Sequence, residues 1–371
     1  MSVSGAGAVE EDISETGPAS TAEEIAARKG AVGGGRSDRV WIAWEKQRRS
    51  LNLSQRLGAR LFLCLDEDKG WRRYPLSAAR TVSELKTRRG KTVMVQNPSM
   101  VLAALACLLR KPLGYSLVVD RHSNFGFLAG GKPGLKRRLS DLLSDFTLKR
   151  ADLTLVTNAE LRERVEAAGG RGFVLPDPFP DLRPYMAAPA APPEPRDAGA
   201  PKEILFVSSW AFDEPIAETI EACRRLQGQA VVRITGKVKP AYARLLAEAP
   251  PNFVPTGFLS DRDYFALMAR CDAVMAVTSR AATLVCGGYE GVVMGKPLIL
   301  GNSAALRDYF DSGCVYTDGT PGDLEARIRG LLGDLPAYRE GILDLRTRRE
   351  AEWEARLAEL EGSLAALEPA R

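Results

Sequence analysis

Short apolar runs alternate with longer segments of helical periodicity along most of this chain. Runs at 40–44, 61–65, 92–96, 117–120 and 153–157 stand in the first half, and runs at 204–208, 230–235, 273–277 and 297–300 in the second. Within each run the apolar residues are mostly consecutive rather than alternating, which suits parallel strands covered on both faces by helices. Strand–helix units repeated at this spacing predict doubly wound α/β sheets. Two stretches break the pattern. Residues 1–37 hold no Leu and no aromatic residue, too little apolar surface to offset ordering entropy, so a disordered tail is expected there. Residues 183–202 carry Pro184, Pro189, Pro192, Pro193, Pro195 and Pro201, six of the 23 prolines, which marks an extended linker. The expected organisation is an N-terminal Rossmann-like domain over 38–182, the linker over 183–202, a second Rossmann-like domain over 203–340, and a C-terminal helix over 341–371. In that helix Trp353, Leu357, Leu360, Leu364 and Leu367 recur at spacings of four and three. The stripe has too few heptads to stand alone and is expected to pack on the body of the protein.

Motifs and composition then remove several classes. No G-x-G-x-x-G follows any of the strands and no phosphate-loop lysine motif occurs, which sets aside dinucleotide-binding and NTPase readings. Gly33, Gly34 and Gly35 precede the first strand and cannot open a helix after it. The 371 residues include 51 Lys+Arg and 47 Asp+Glu, a net charge of +4, too balanced for a dedicated nucleic-acid binder. No run approaches the roughly 18 apolar residues of a membrane span. The start is acidic and lacks the apolar core of a secretory signal. Six scattered cysteines without a C-x-x-C pair read as reduced thiols in a cytosol. A single histidine argues against a multi-histidine zinc site, and no metal ligand set is expected.

Residues 252–310 carry a more specific pattern. It consists of Thr256-Gly257-Phe258, the segment from Tyr264 to Val274, and Tyr289-Glu290-Gly291-Val292-Val293-Met294-Gly295-Lys296-Pro297. With the two tandem halves, it resembles the donor-binding half of glycosyltransferase family 4 and relatives, the group 1 glycosyl transferases. The resemblance implies a GT-B fold: α/β, with two Rossmann-like doubly wound domains facing across a cleft and a C-terminal helix. It further implies metal-independent transfer of a hexosyl or related sugar from a nucleotide-sugar to a hydroxyl of a glycan or polyprenyl-linked glycan. The setting it implies is bacterial surface polysaccharide synthesis, and the nucleotide-sugar is a co-substrate rather than a cofactor.

Several residues suit that chemistry. Thr283, Leu284, Val285, Cys286, Gly287 and Gly288 precede a helix expected to begin near Tyr289. Glycines there let the backbone approach a ligand, and a helix N-terminus favours an anion such as a diphosphate. Glu290 can accept hydrogen bonds from the vicinal hydroxyls of a ribose, or complement the helix dipole. By the resemblance, a sugar-facing glutamate sits eight residues earlier, where this chain has Ala282. The family's basic pair after the first strand of the second domain is also missing, since Ser209-Trp210-Ala211-Phe212-Asp213-Glu214-Pro215 stands there. Lys237, after the next strand, and Ser209, through its hydroxyl and N–H, are the substitutes for binding phosphate; an exposed loop lysine is an equal reading of Lys237. Arg280 reads as a neutralising charge or a solvated loop residue.

In the first half, His122 lies just past an apolar strand that ends at Asp120, the region where open α/β sheets bind ligands. Relatives carry a histidine at the comparable place. The expected role is general base toward the acceptor hydroxyl, oriented by Asp120; Arg121 beside it reads as a loop-closing ion pair or a secondary candidate. Lys46, Arg48 and Arg49 follow the first strand and form either an acceptor anion site or a charged first helical turn. Asn97 and Ser99 read as acceptor contacts or a helix cap. Asn158 and residues 176–180 read as turns or hinge elements. Residues 132–150 form an amphipathic helix: Leu135, Leu139, Leu142, Leu143 and Phe146 are expected to pack on the sheet, leaving Lys136, Arg137, Arg138, Lys149 and Arg150 for peripheral contact with the inner leaflet. The resulting expectation is a cytoplasmic glycosyltransferase. Ala282 and the missing basic pair favour the alternative, a catalytically weak GT-B binding or scaffold partner.

Overall fold

The computed structural model describes residues 38–65, 73–97, 99–122, 135–186, 197 and 199–367. The expected tail 1–37, residues 187–196 and 198 of the expected linker, and residues 132–134 of the amphipathic helix lie outside the described residues.

The first sheet contains β1 (Arg39–Ala43), β2 (Arg60–Leu63), β3 (Thr92–Gln96), β4 (Ser116–Asp120), β5 (Leu153–Val156) and β6 (Gly172–Val174). All pairs are parallel, in the order β2-β1-β3-β4-β5-β6. Between the strands run α1 (Arg48–Arg56), α2 (Arg73–Leu85), α3 (Met100–Leu113), α4 (Leu135–Arg150) and α5 (Ala159–Ala167). A short α6 (Arg183–Met186) belongs to the second domain: the preceding Leu182 is buried in that domain's core, and Tyr185 stacks on Phe265 with centroids 5.2 Å apart.

The second sheet contains β7 (Lys202–Phe206), β8 (Ala230–Thr235), β9 (Phe253–Gly257), β10 (Ala273–Ala276), β11 (Leu298–Gly301) and β12 (Cys314–Thr317). Its parallel order is β12-β11-β10-β7-β8-β9. Its helices are α7 (Ile216–Arg225), α8 (Ala243–Ala247), α9 (Asp261–Arg270), α10 (Cys286–Val293), α11 (Ala304–Tyr309) and α12 (Pro321–Gly333), with α13 (Leu335–Leu367) closing the chain. Two doubly wound Rossmann-like sheets are what the sequence pattern predicts. β6, β9 and β12 have no counterpart among the apolar runs, and all three are edge strands.

Each sheet reverses its strand order at one point. In the first it lies between β1 and β3, in the second between β7 and β10. Doubly wound sheets bind ligands in the crevice outside the carboxyl ends of the strands at such a point. Functional residues are therefore sought in the loops after β1, β3, β7 and β10.

Helix α13 joins both domains. Its start packs on the second domain through Leu335, Ile342 and Leu345. Trp353, Leu360 and Leu364 are buried with Trp41, Leu53, Met94 and Leu155 of the first. At about 1.5 Å per residue, its 33 residues are long enough to reach from one core to the other. Arg39, fully buried, donates to Glu361 at 2.8 Å, and Ser116 Oγ donates to the Leu367 carbonyl at 2.6 Å.

Helix α4 departs from expectation. Leu139 and Leu142 are 56% and 66% exposed, while Ser144, Thr147 and Leu148 face inward. The reason is the buried Arg121, whose guanidinium donates to Ser144 Oγ at 2.6 Å, to Thr147 Oγ1 at 3.3 Å and to the Ser144 carbonyl at 3.4 Å. Serving that guanidinium puts polar residues on the inner face and turns these two leucines outward. The side chains of Leu135, Lys136 and Arg137 lie outside the described residues. Among the described residues no helix is long and apolar enough to cross a membrane.

Candidate functional site

On the first domain, β4 ends at Asp120, which is fully buried. One carboxylate oxygen accepts from Arg49 Nε at 2.8 Å, and the other stands 3.1 Å from His122 Nδ1. Burial works against the Asp120 charge, but Arg49 and His122 outweigh it and hold the carboxyl below its usual range. Sequence reasoning brought Asp120 and His122 together, and so does the structure.

Arg49 does not act as an acceptor ligand. It is buried, and beyond Asp120 its guanidinium donates to Asp177 Oδ1 at 2.9 Å and to the Leu175 carbonyl at 2.9 Å. With those three partners the guanidinium is committed to the protein itself. Burial alone would lower its pKa; the Asp120 and Asp177 carboxylates reverse this and raise it. Lys46 is half-buried in the turn before α1. Ser99 serves as a cap: its side chain accepts from the Leu102 N–H at the start of α3. Asn97, next to the end of β3, is fully buried, and among the described residues neither its Oδ1 nor its Nδ2 has a hydrogen-bond partner. An orphaned buried amide costs stability and calls for an explanation.

Arg48, at the first position of α1, reaches across to the second domain. It donates to Glu290 Oε1 at 3.1 Å and to Asp261 Oδ2 at 3.4 Å. Glu290 is buried, and its second oxygen accepts from Tyr264 OH at 2.6 Å. Desolvation raises the Glu290 pKa in spite of the Tyr264 hydrogen bond and the Arg48 charge. The residue singled out for a ribose thus meets a cation from the opposite domain.

The segment leading to Glu290 differs from expectation in two ways. Helix α10 starts at Cys286, three residues before Tyr289, so Gly287 and Gly288 lie inside it. Their missing side chains face the core: a Cβ on Gly287 would stand 2.9 Å from Val207 Cβ, and one on Gly288 would stand 2.8 Å from Phe310 Cζ. They let α10 press against the sheet rather than open the backbone to a ligand. Tyr289 is likewise a packing residue, buried among Phe179, Tyr309 and Phe310. Leu284 and Val285 are half-buried against the same core, Thr283 Oγ1 donates to the Ala281 carbonyl at 3.2 Å, and Cys286 is exposed at the helix start.

Ala282 crosses the seam. It adopts a left-handed backbone (φ +54°) and is buried with Leu148, Val156, Leu161 and Val165 of the first domain. Its carbonyl accepts from Asn158 Nδ2 at 3.0 Å, while Asn158 Oδ1 caps α5 through the Leu161 N–H at 3.0 Å. Asn158 is therefore a clamp between the domains, more than the turn the sequence suggested. A glutamate at 282 would have to bury its carboxylate in this apolar cluster, which is costly.

The loop after β7 is closed by its own acids. Glu214 accepts from the Ser209 N–H and hydroxyl at 3.0 Å each, from Ser208 Oγ at 2.5 Å and from the Ala211 N–H at 3.2 Å. Ser209 is accordingly no open phosphate ligand, because both of its donors are committed to a carboxylate. Asp213 accepts from Thr278 Oγ1 at 2.5 Å and Arg280 Nη2 at 3.0 Å, so Arg280 neutralises an internal acid. Trp210 fills the base of the loop, with φ +59° and Nε1 donating to the Thr235 carbonyl at 2.9 Å. Gly236 must be glycine: its φ is +89° and a Cβ would lie 2.4 Å from the Ser208 carbonyl oxygen. Lys237 beyond it is exposed.

Residues 22–176 match the family model described as a glycosyl transferase 4-like domain. That match covers the first domain and begins inside the expected tail. Among curated proteins, none matches the chain. Among solved structures, a sucrose-phosphate synthase from Thermosynechococcus elongatus superposes with a TM-score of 0.64 at 13% identity, covering 89% of this chain and 99% of the other. HepE of Anabaena in complex with UDP gives 0.63 at 14%, covering 93% and 95%. The N-terminal domain of trehalose-6-phosphate phosphatase from Candida albicans gives 0.64 at 10%, covering 92% of each. At such identities the likeness establishes the fold. The expected GT-B fold is borne out, and the first half of the chain is similar to a glycosyl transferase 4-like domain, in keeping with the resemblance to group 1 glycosyl transferases.

Proposed function

We propose that this chain is a glycosyltransferase that takes a sugar from a nucleotide donor and passes it to a hydroxyl of a glycan or lipid-linked glycan. The observation carrying this reading is the Asp120–His122 pair, placed across the interdomain seam from Glu290 and α10. An ionised carboxylate only accepts hydrogen bonds, so Asp120 takes the Nδ1–H and leaves Nε2 to receive a hydroxyl proton. On the donor side, Glu290 offers acceptors to a ribose and the start of α10 favours an anion. For Glu290 to take a ribose, Arg48 must leave it. The released guanidinium then meets the diphosphate charge in place of the basic pair missing after β7. Asn97 is the acceptor-side candidate, since its buried amide finds no partner among the described residues.

UDP is the first nucleotide to test, because it is the ligand of the HepE structure. A thermal-shift panel of nucleoside diphosphates decides the question. A ligand at a hundred times its Kd stabilises by about 2.7 kcal/mol, so one nucleotide should raise the melting temperature clearly. We expect Glu290→Gln to weaken its affinity about tenfold, since a charged hydrogen bond is worth about 1.5–3 kcal/mol. Arg48→Ala should also weaken affinity several-fold, because the diphosphate loses the cation that meets its charge; calorimetry of both variants measures the two losses. Turnover that survives EDTA would agree with a leaving charge met by side chains and helix ends.

A second reading, a catalytically weak GT-B protein serving as a binding or scaffold partner, is favoured by Glu214, which ties up the donors of the loop after β7. Silence of every nucleotide in the panel would select it.

The setting we propose is cytoplasmic assembly of a bacterial surface polysaccharide, with the first domain touching the inner leaflet. Exposed Leu139 and Leu142 next to exposed Arg138, Lys149 and Arg150 support that contact. Co-sedimentation with vesicles containing phosphatidylglycerol should fall on Leu142→Glu; equal binding by the variant would remove the membrane contact.

A further inference from the structure

Arg49 forms part of α1, yet none of the hydrogen bonds of its guanidinium to Asp120, Asp177 and Leu175 serves that helix. It ties the end of β4, through Asp120, to the chain that leaves β6, through Asp177 and the Leu175 carbonyl. The two oxygens of Asp120 are thereby divided: Oδ1 belongs to Arg49, and Oδ2 remains for His122 Nδ1. A carboxylate held on one side by a guanidinium cannot turn about its own axis without losing that bond. Arg121, the other buried arginine nearby, is turned to Ser144 and Thr147.

Building on the reading of His122 as the base, we infer that Arg49 is the positioning residue of that base: it locks the Asp120 carboxylate so that the imidazole carries its neutral proton on Nδ1 and presents Nε2 to the acceptor. The imidazole gains a fixed tautomer from a residue it does not touch. Free imidazole side chains in water favour the opposite tautomer, with the proton on Nε2, so the constraint has a measurable signature. Which nitrogen is protonated is set by the hydrogen bond the other makes.

His122 is the only histidine of the 371 residues, so the full-length protein, labelled with nitrogen-15, gives one imidazole pattern. Long-range proton–nitrogen spectra, recorded where the imidazole is neutral, distinguish the two tautomers directly. The expected result for the unaltered chain is a single Nδ1–H form. In Arg49→Met the carboxylate is free to turn, and the Nε2–H form should become the larger part of a mixture. A folded Arg49→Met variant that keeps the single Nδ1–H form overturns the inference, as does an unaltered chain showing the Nε2–H form. Should the methionine variant fail to fold, Arg49→Lys decides, because a single ammonium cannot hold Asp120, Asp177 and the Leu175 carbonyl together. A mixed tautomer in that variant supports the inference and an unmixed Nδ1–H form overturns it. Neither spectrum depends on a donor or acceptor, so the nucleotide panel tests the proposed function separately.

Discussion

Replacing His122 with alanine should lower turnover by about 10²–10⁴-fold, the usual worth of a general base, while nucleotide affinity stays within a few-fold. The split follows from place. His122 stands at the end of β4 on the first domain, whereas Glu290 and α10, the groups assigned to the nucleotide, belong to the second. A residue on the first side meets the acceptor hydroxyl or the transferred sugar, so its loss is felt in the chemical step. Turnover and nucleotide titration on one purified variant, with a melting curve alongside, measure this. Near-normal turnover would make the Asp120–His122 contact a mere loop tie. Equal losses in binding and turnover would move His122 to the donor site.

A chain ending at residue 349 should lose a folded first domain. Trp353, Leu360 and Leu364 are all buried in that domain's core. Trp353 also donates through Nε1 to the Pro176 carbonyl at 3.1 Å, and Arg56 lies 4.7 Å over its ring. Truncating a buried Trp costs about 3–5 kcal/mol and a buried Leu about 2–5, against a typical total stability of about 5–15. Removing all three costs about 7–15 kcal/mol, which consumes most or all of that stability. Limited proteolysis should then cleave within residues 38–175 while the second sheet stays protected. Even Leu360→Ala alone should lower the denaturation midpoint measurably. A truncated chain that melts at the original temperature would show α13 to be a dispensable strap.

The sequence disclosed the fold through its central strands. β1, β3 and β5 are buried along their whole length, and each read as a short, mostly apolar run. The missed strands sit at edges, where one flank faces solvent: β6 is half-buried throughout, and β9 carries Pro255 and Thr256. Selection for apolar residues is weak there, so periodicity has little to detect.

The site was legible in pairs close in sequence and illegible in pairs far apart. Asp120 and His122 are two residues from each other, and a strand end predicted both. Arg48 and Glu290 are separated by 242 positions, and no local pattern joins them. Gly287 and Gly288 misled because a glycine needed for close helix–sheet packing looks the same as one needed for ligand approach. Ser209 misled because the carboxylate that takes its donors, Glu214, stands five positions further on and belongs to no motif. Asn158 offered one signal that was underused: it caps a helix with Oδ1 and so leaves its Nδ2 for a second partner.

The long reach of α13 also bears on the order in which the protein can assemble during synthesis. Multidomain chains commonly fold vectorially, the N-terminal domain first. Here the leading half waits for the trailing one. Arg39 meets Glu361 across 322 positions and Ser116 meets Leu367 across 251. Contacts of such separation carry a large loop-closure cost and slow folding. Until residues 353–364 leave the ribosome, the surface around Trp41, Leu53 and Met94 has nothing to cover it. During that interval the nascent first domain presents a sticky apolar face, and chaperones that hold exposed hydrophobic segments should associate with it longer than with the second domain.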